Sequence, residues 1–147
     1  MNEQQTDFYQ KIRIEIKNFL NSEKGKDYKW SEYLLAAPDL FHLLVKLTLD
    51  EEVMIKDKAI LGIAIAYFLS PIDIIPEVFF GPVGLLDDIA VAAYALNLIV
   101  NNYPELARKH WAGEQDLLVL VQNILTKADD MIGSKLINKI KKLFGGK

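Results

Sequence analysis

No cysteine occurs in this 147-residue chain. Disulfides, thiolate metal sites and cysteine nucleophiles are therefore excluded together. Histidine is almost as scarce: His42 and His110 are the whole supply, too few for a histidine-built metal centre. Eight glycines and five prolines do not make a fibrous or low-complexity chain, and no internal repeat is present. Positive charge is short as well. Lys and Arg number 17 against 20 Asp and Glu, for a net charge of −3 and a pI near 5.4, which speaks against bulk nucleic-acid binding. The opening MNEQQTDFYQ is polar and lacks the early apolar run of a secretory signal. Asn2 excludes N-myristoylation, and no C-terminal cysteine exists for prenylation. The expectation is a chain kept in the cytoplasm or on the cytoplasmic side of a membrane.

What the chain has in excess is apolar side chains: 51% of residues, with a mean hydropathy of +0.11. Its length suits one domain spanning residues 1–147. Charge is unevenly spread. Residues 1–30 carry 6 basic and 5 acidic side chains, residues 31–100 carry 3 and 10, and residues 101–147 carry 8 and 5. The centre is acidic and apolar, and the tail is basic.

Helical periodicity runs almost throughout. Phe8, Ile12, Ile16, Phe19 and Leu20 share one face of a helix expected over Gln4–Asn21. A polar loop follows. Ser31 caps a short segment through Ala37, and Pro38, suited to a first turn, opens a separate helix to Leu49. Asp50 reads as the N-cap of the next helix, with Glu51 and Glu52 in its first turn. That helix is apolar on every face from Ala59 to Leu69. Ser70-Pro71-Ile72-Asp73 is a capping-box pattern that breaks the chain and starts a short helix, which Pro76 and Gly81–Gly84 end. A second all-round apolar helix is expected from Leu85 to Asn101, then a short one carrying Arg108, Lys109 and His110. Residues 114–128 form an amphipathic helix. Asp129-Asp130 then leads into a basic amphipathic helix, residues 131–147, with Lys135, Lys139 and Lys142 opposite Ile132, Leu136, Ile140, Leu143 and Phe144. The fold class expected is all-α: a small helical bundle around a central apolar hairpin, residues 50–101, with a proline-broken turn.

The segment Tyr67-Phe-Leu-Ser-Pro-Ile-Asp-Ile-Ile-Pro-Glu77, followed by Gly84-Leu-Leu-Asp-Asp88, resembles the signature of the YkvA-like family of small helical domains of unknown function. The matching positions are Ser70, Pro71, Ile72, Asp73, Pro76, Gly84, Leu86, Asp87 and Asp88. Glu77 stands where aspartate is usual. The resemblance covers about residues 50–100 and implies a helical hairpin, membrane association and no established activity.

Asp73, Glu77, Asp87 and Asp88 surround one turn between two apolar helices, where a carboxylate is costly unless capped, paired or metal-bound. Three uses stand. Asp73, with Ser70, and the Asp87–Asp88 pair cap or charge two helix starts. Or the four acids hold a divalent ion of the Mg or Ca kind through oxygen ligands. Or they pair with basic side chains such as Lys58 or Arg108. No other catalytic chemistry emerges: there is no P-loop, G-x-G-x-x-G or nucleophile elbow. His42 reads as a packed helix residue and His110 as a surface one. Trp30 and Trp111 read as interfacial anchors or as core and rim packing.

The apolar stretches Ala59–Leu69 and Ile89–Val100, 11 and 12 residues long, fall short of the about 20 that a span needs. Gly62-x-x-x-Ala66 and Ala92, Ala93 and Ala95 permit close helix packing in a bilayer. Lysines before the hairpin and Arg108 and Lys109 after it fit a hairpin entering from the cytoplasmic side. Its acidic turn opposes deep insertion, since such a residue costs about 2.5–3.5 kcal/mol at the bilayer centre. The functional expectation is a non-enzymatic, membrane-associated protein acting through membrane lipid or a membrane protein. The alternatives are a soluble helical interaction module, self-associating as a homo-oligomer, and a divalent-metal-binding protein.

Overall fold

Asn2 and Gln5 close a capping box. The Asn2 side chain accepts the Gln5 N–H at 2.8 Å, and the Gln5 side chain accepts the Asn2 N–H at 3.0 Å. Two otherwise orphaned amide donors are satisfied, and α1 runs from Glu3 to Leu20. The computed structural model describes residues 2–23, 25–69, 85–113 and 115–144. After α1 come α2 (Ser31–Leu49), α3 (Ile55–Leu69), α4 (Leu85–Ile99), a 3-10 turn (Val100–Asn102), α5 (Pro104–His110), α6 (Leu117–Ile132) and α7 (Ser134–Leu143). Among the described residues there is no strand, and the all-α bundle expected from the periodicity is the observed class.

The centre of the bundle is α4. It packs against α2, α3, α6 and α7, and only Tyr94, Asn97 and Leu98 on it keep any substantial exposure. Alanines at 90, 92, 93 and 95 are all fully buried. Their small side chains let neighbouring helices approach from several directions, which an apolar, all-round helix requires. The apolar stripe of α1, Ile12 and Ile16 above all, lies on α2. Phe8, Phe41 and Phe68 tie α1, α2 and α3 together, with ring centroids 4.8, 5.5 and 6.2 Å apart.

Four boundaries differ from expectation. Residues 31–49 form one helix through Pro38, because the buried run Leu34, Ala37, Leu40, Phe41 and Leu44 continues across the proline. A proline costs a helix about 3 kcal/mol, and continuous packing of that stripe offsets it. Asp50 does not cap α3. It ends α2, its carboxylate accepting the Glu52 N–H at 2.9 Å, and α3 starts five residues later. The second apolar helix stops at Ile99 and tightens into the 3-10 turn. Asp129 and Asp130 lie inside α6 rather than before the last helix. The break comes at Gly133, whose φ of 88° is a left-handed conformation that glycine adopts without steric cost. Ser70, Pro71, Asp73, Pro76 and Gly84, which carry the expected proline-broken turn, lie outside the described residues.

Leu96 is fully buried on α4, whereas Leu98, two residues on, is half exposed. Leu96→Ala is expected to cost about 2–5 kcal/mol by urea denaturation. Leu98→Ala should stay within about 0.5 kcal/mol of the parent. Equal costs would mean that α4 is not enclosed as described.

Candidate functional site

Among the described residues the buried charged side chains are Asp57, Asp87 and Asp88. Asp57 sits in the first turn of α3 and Asp87 and Asp88 in the first turn of α4, where a helix dipole favours negative charge. The Tyr103 hydroxyl, from the segment between the 3-10 turn and α5, donates to Asp57 Oδ2 at 2.6 Å. Its oxygen also accepts the Met54 N–H at 3.0 Å. One phenol thus pins the start of α3 to the far end of the hairpin, and the bond to Asp57 pushes its own pKa up. Asp57 was not singled out by sequence, since a lone acid in Lys56-Asp57-Lys58 reads as surface charge.

Asp87 Oδ1 accepts the Asp88 N–H at 3.0 Å. Asp88 is 1% exposed, and neither carboxylate is free. Asp73 and Glu77, the other half of the expected oxygen site, lie outside the described residues. Among the described residues no three His, Asp or Glu side chains come together as a metal centre. Arg108, a candidate partner for the acids, pairs instead with Glu105 at 3.0 Å.

A second polar cluster lies on the seam between α2 and α5, which pack together. His110 is not a surface residue. Its Nε2 lies 2.9 Å from Asp50 Oδ2, and the two side chains are only 17% and 10% exposed. The hydrogen bond from His110, followed by that from the Glu52 amide, holds the Asp50 carboxyl below its ordinary pKa. His42 stands on the same seam. Burial first, and Lys46 second, push its pKa down, against the opposing pull of Asp39 and the His110 backbone. Its Nδ1 is buried without a hydrogen-bond partner among the described residues. Both histidines of the chain thus serve one helix–helix contact. Asp50 and His110 are 60 residues apart, so no spacing rule could have paired them. Neither lines the four clefts described among these residues, and the pair acts as a latch from the end of α2 to α5.

The hairpin helices differ in how they are enclosed. While α4 is covered by protein, α3 is covered on one side only. Its exposed residues are Ile55, Lys56, Ala59, Ile63 and Ala66, with Asp57, Leu61, Ala64, Ile65 and Phe68 facing inward. At about 100° per residue the exposed five fall within one arc of about 100°. On α7, Ile137 and Ile140 are buried, and the helix packs on α4 and α6. Lys135, Lys139, Lys141 and Lys142 remain exposed, with no acid on that helix. No helix among the described residues is long and apolar enough to cross a membrane.

Residues 57–94 match the model of a family described as a protein of unknown function, DUF1232. The YkvA-like resemblance is consistent with that match. The stretch runs from the first turn of α3 into α4 and contains all three buried aspartates. An "Uncharacterized protein ORF9" of Methanothermobacter thermautotrophicus is 28% identical over 126 residues, which is 85% of this chain and 81% of that protein. Neither description names an activity. No solved structure matches the chain.

Two measurements follow from the polar clusters. A depressed carboxyl pKa stabilises the fold fully above the unfolded value, and that stabilisation is lost as pH falls through the folded value. Asp50→Asn should therefore be less stable than the parent at about pH 6, with a smaller gap at about pH 2. A gap of equal size at both, read from urea midpoints, would exclude the pairing. Calorimetric titration with Mg²⁺ or Ca²⁺ should give no binding heat up to about millimolar metal. A saturable heat abolished by Asp87→Asn would instead make these acids ligands.

Proposed function

We propose that the chain is a non-enzymatic helical protein that associates with a membrane surface through the outer face of α3. One observation carries this reading: of the five exposed α3 residues, four are apolar, one is a lysine and none is acidic. Ile55 is 85% exposed and Ile63 36%. A contiguous apolar face rimmed by a cation is costly in water and suits the boundary between anionic headgroups and acyl chains. A helix of 15 residues is about 22 Å long, against an apolar core about 30 Å thick. Shallow, in-plane contact fits those dimensions, whereas insertion of the hairpin would require stripping α4 of the helices that bury it. The acidic motif is then structural, with Asp87 and Asp88 serving the start of α4. The exposed lysines of α7 offer a second, purely electrostatic hold on anionic lipid.

A second reading, a helical interaction module that self-associates, is favoured by Gly62. A Cβ placed there meets nothing within 4 Å. With Ala66 four residues on, the face can admit the backbone of another helix closely.

Flotation with vesicles of phosphatidylcholine and phosphatidylglycerol separates these readings. The parent should float, and should still float at about 1 M salt, where the screening length is about 3 Å. Ile55→Asp/Ile63→Asp should reduce flotation at least tenfold while leaving the helical signal intact. Flotation lost in salt would shift the contact to the α7 lysines. A protein that stays unbound but sediments as a dimer split by Ile63→Asp would establish the interaction module and overturn the lipid reading.

A further inference from the structure

Beside the 3-10 turn, where α5 and α6 meet the end of α4, lies a cavity of about 220 Å³. Val100, Pro104, Ala107, Leu117 and Leu118 give it an apolar lining, and the Trp111 indole forms one wall. A second cavity of about 210 Å³ shares Val100, Asn101 and Leu118 with it, so the two form one groove along α4 and α6. Leu118, on its wall, is 51% exposed, an apolar side chain left partly in water on a helix whose Leu117, Leu120 and Val121 face the core.

The indole is held in place from two sides. Its Nε1–H donates to the Gln115 carbonyl at 2.8 Å. The ring also lies so close to Gly113 that a Cβ there would collide with it. Glycine at 113 is thus what lets the ring lie this close to the backbone. The wall exists before any ligand arrives, which removes an ordering cost from binding.

The charged groups of the groove, and Asn97 and Gln122 beside them, are already engaged. Arg108 is bound to Glu105 at 3.0 Å. The Asp116 carboxylate caps α6 by accepting the Val119 N–H at 3.1 Å. Gln122 donates to Asn97 Oδ1 at 3.0 Å across the second cavity. The one cation and the one carboxylate of the first cavity's lining cancel in formal charge. A ligand carboxylate or ammonium entering here would lose its water and meet no charged side chain that is not already engaged. An uncharged ring would stack on the indole and cover Leu118.

We propose that this groove is a binding site for a small, uncharged, ring-bearing apolar molecule, with Trp111 as the stacking platform and Leu118 as the opposing wall. The site is independent of the outer face of α3 and of the lipid reading: none of its lining residues belongs to α3.

The chain has two tryptophans, Trp30 and Trp111, so their indole N–H signals in a ¹H–¹⁵N spectrum report the site and carry an internal control. Titration with 1-naphthol should shift the Trp111 signal saturably and leave that of Trp30 in place, the two being assigned with Trp30→Phe. The same ring bearing a carboxylate, 1-naphthoate, should bind at least tenfold more weakly. Leu118→Glu, a change at a half-exposed position, should weaken naphthol at least tenfold with the remaining spectrum preserved. Gly113→Ala should weaken it by displacing the ring. Four results would each overturn the proposal: no saturable shift up to the solubility limit of naphthol, equal shifts at both indoles, naphthoate binding as tightly as naphthol, or unchanged affinity in Leu118→Glu.

Discussion

A helix apolar on every face cannot stand in water, and the fold is organised around that constraint. The helix is α4, and α2, α3, α6 and α7 supply the surfaces that enclose it. Its alanines do as much for this as its large side chains, because they let four helices come close to one axis. The amphipathic character of α6 and α7 follows: each has one face committed to α4 and one left polar. The α7 lysines face outward because Ile137 and Ile140 must face inward.

The same constraint explains why α3 is exceptional. It is as apolar as α4 along its second half, yet α2 and α4, which pack against it, leave an arc of it uncovered. That arc is one part of the apolar excess that folding leaves in water, and the functional reading rests on it. The buried acids belong to the other side of the same account. Asp57, Asp87 and Asp88 stand at helix starts, where backbone amides and the dipole offset part of their desolvation. Tyr103 adds a hydroxyl to Asp57 and so fixes the distance between the two ends of the hairpin region. The Asp50–His110 latch performs a similar task one helix over, holding short α5 to the end of α2.

Local pattern made most of the helices legible. The stripe of Phe8, Ile12 and Ile16 placed α1 to within a residue at each end, because facing residues three and four apart are a property of the helix itself. The all-round apolar character of the two central stretches required enclosure, and the family signature located the hairpin region. Boundaries that depend on a balance of energies were less legible. Pro38 reads locally as a start, and only the buried stripe running across it shows why the helix continues. Gly133 ends α6 through a left-handed φ, and nothing in Ile132-Gly133-Ser134 distinguishes that glycine from a tolerated one. Of the candidate site, Asp87 and Asp88 were legible by position, while Asp57 and the two histidines were not, since their partners lie 46 and 60 residues away for Asp57 and His110.

Taken alone, the amino-acid sequence determined the all-α class, the run of helical faces, the exclusion of thiol and histidine-rich chemistry, and the requirement that two short apolar helices be enclosed. These depend on composition and on contacts within about one or two helical turns. The tertiary structure decided what does the enclosing. It put nearly all of α4 inside protein and left one arc of α3 open. It also set the indole of Trp111 against a groove and drew both histidines to one seam. Each of those outcomes depends on which helix packs against which, and that is set by side chains far apart in the chain competing for the same buried surface.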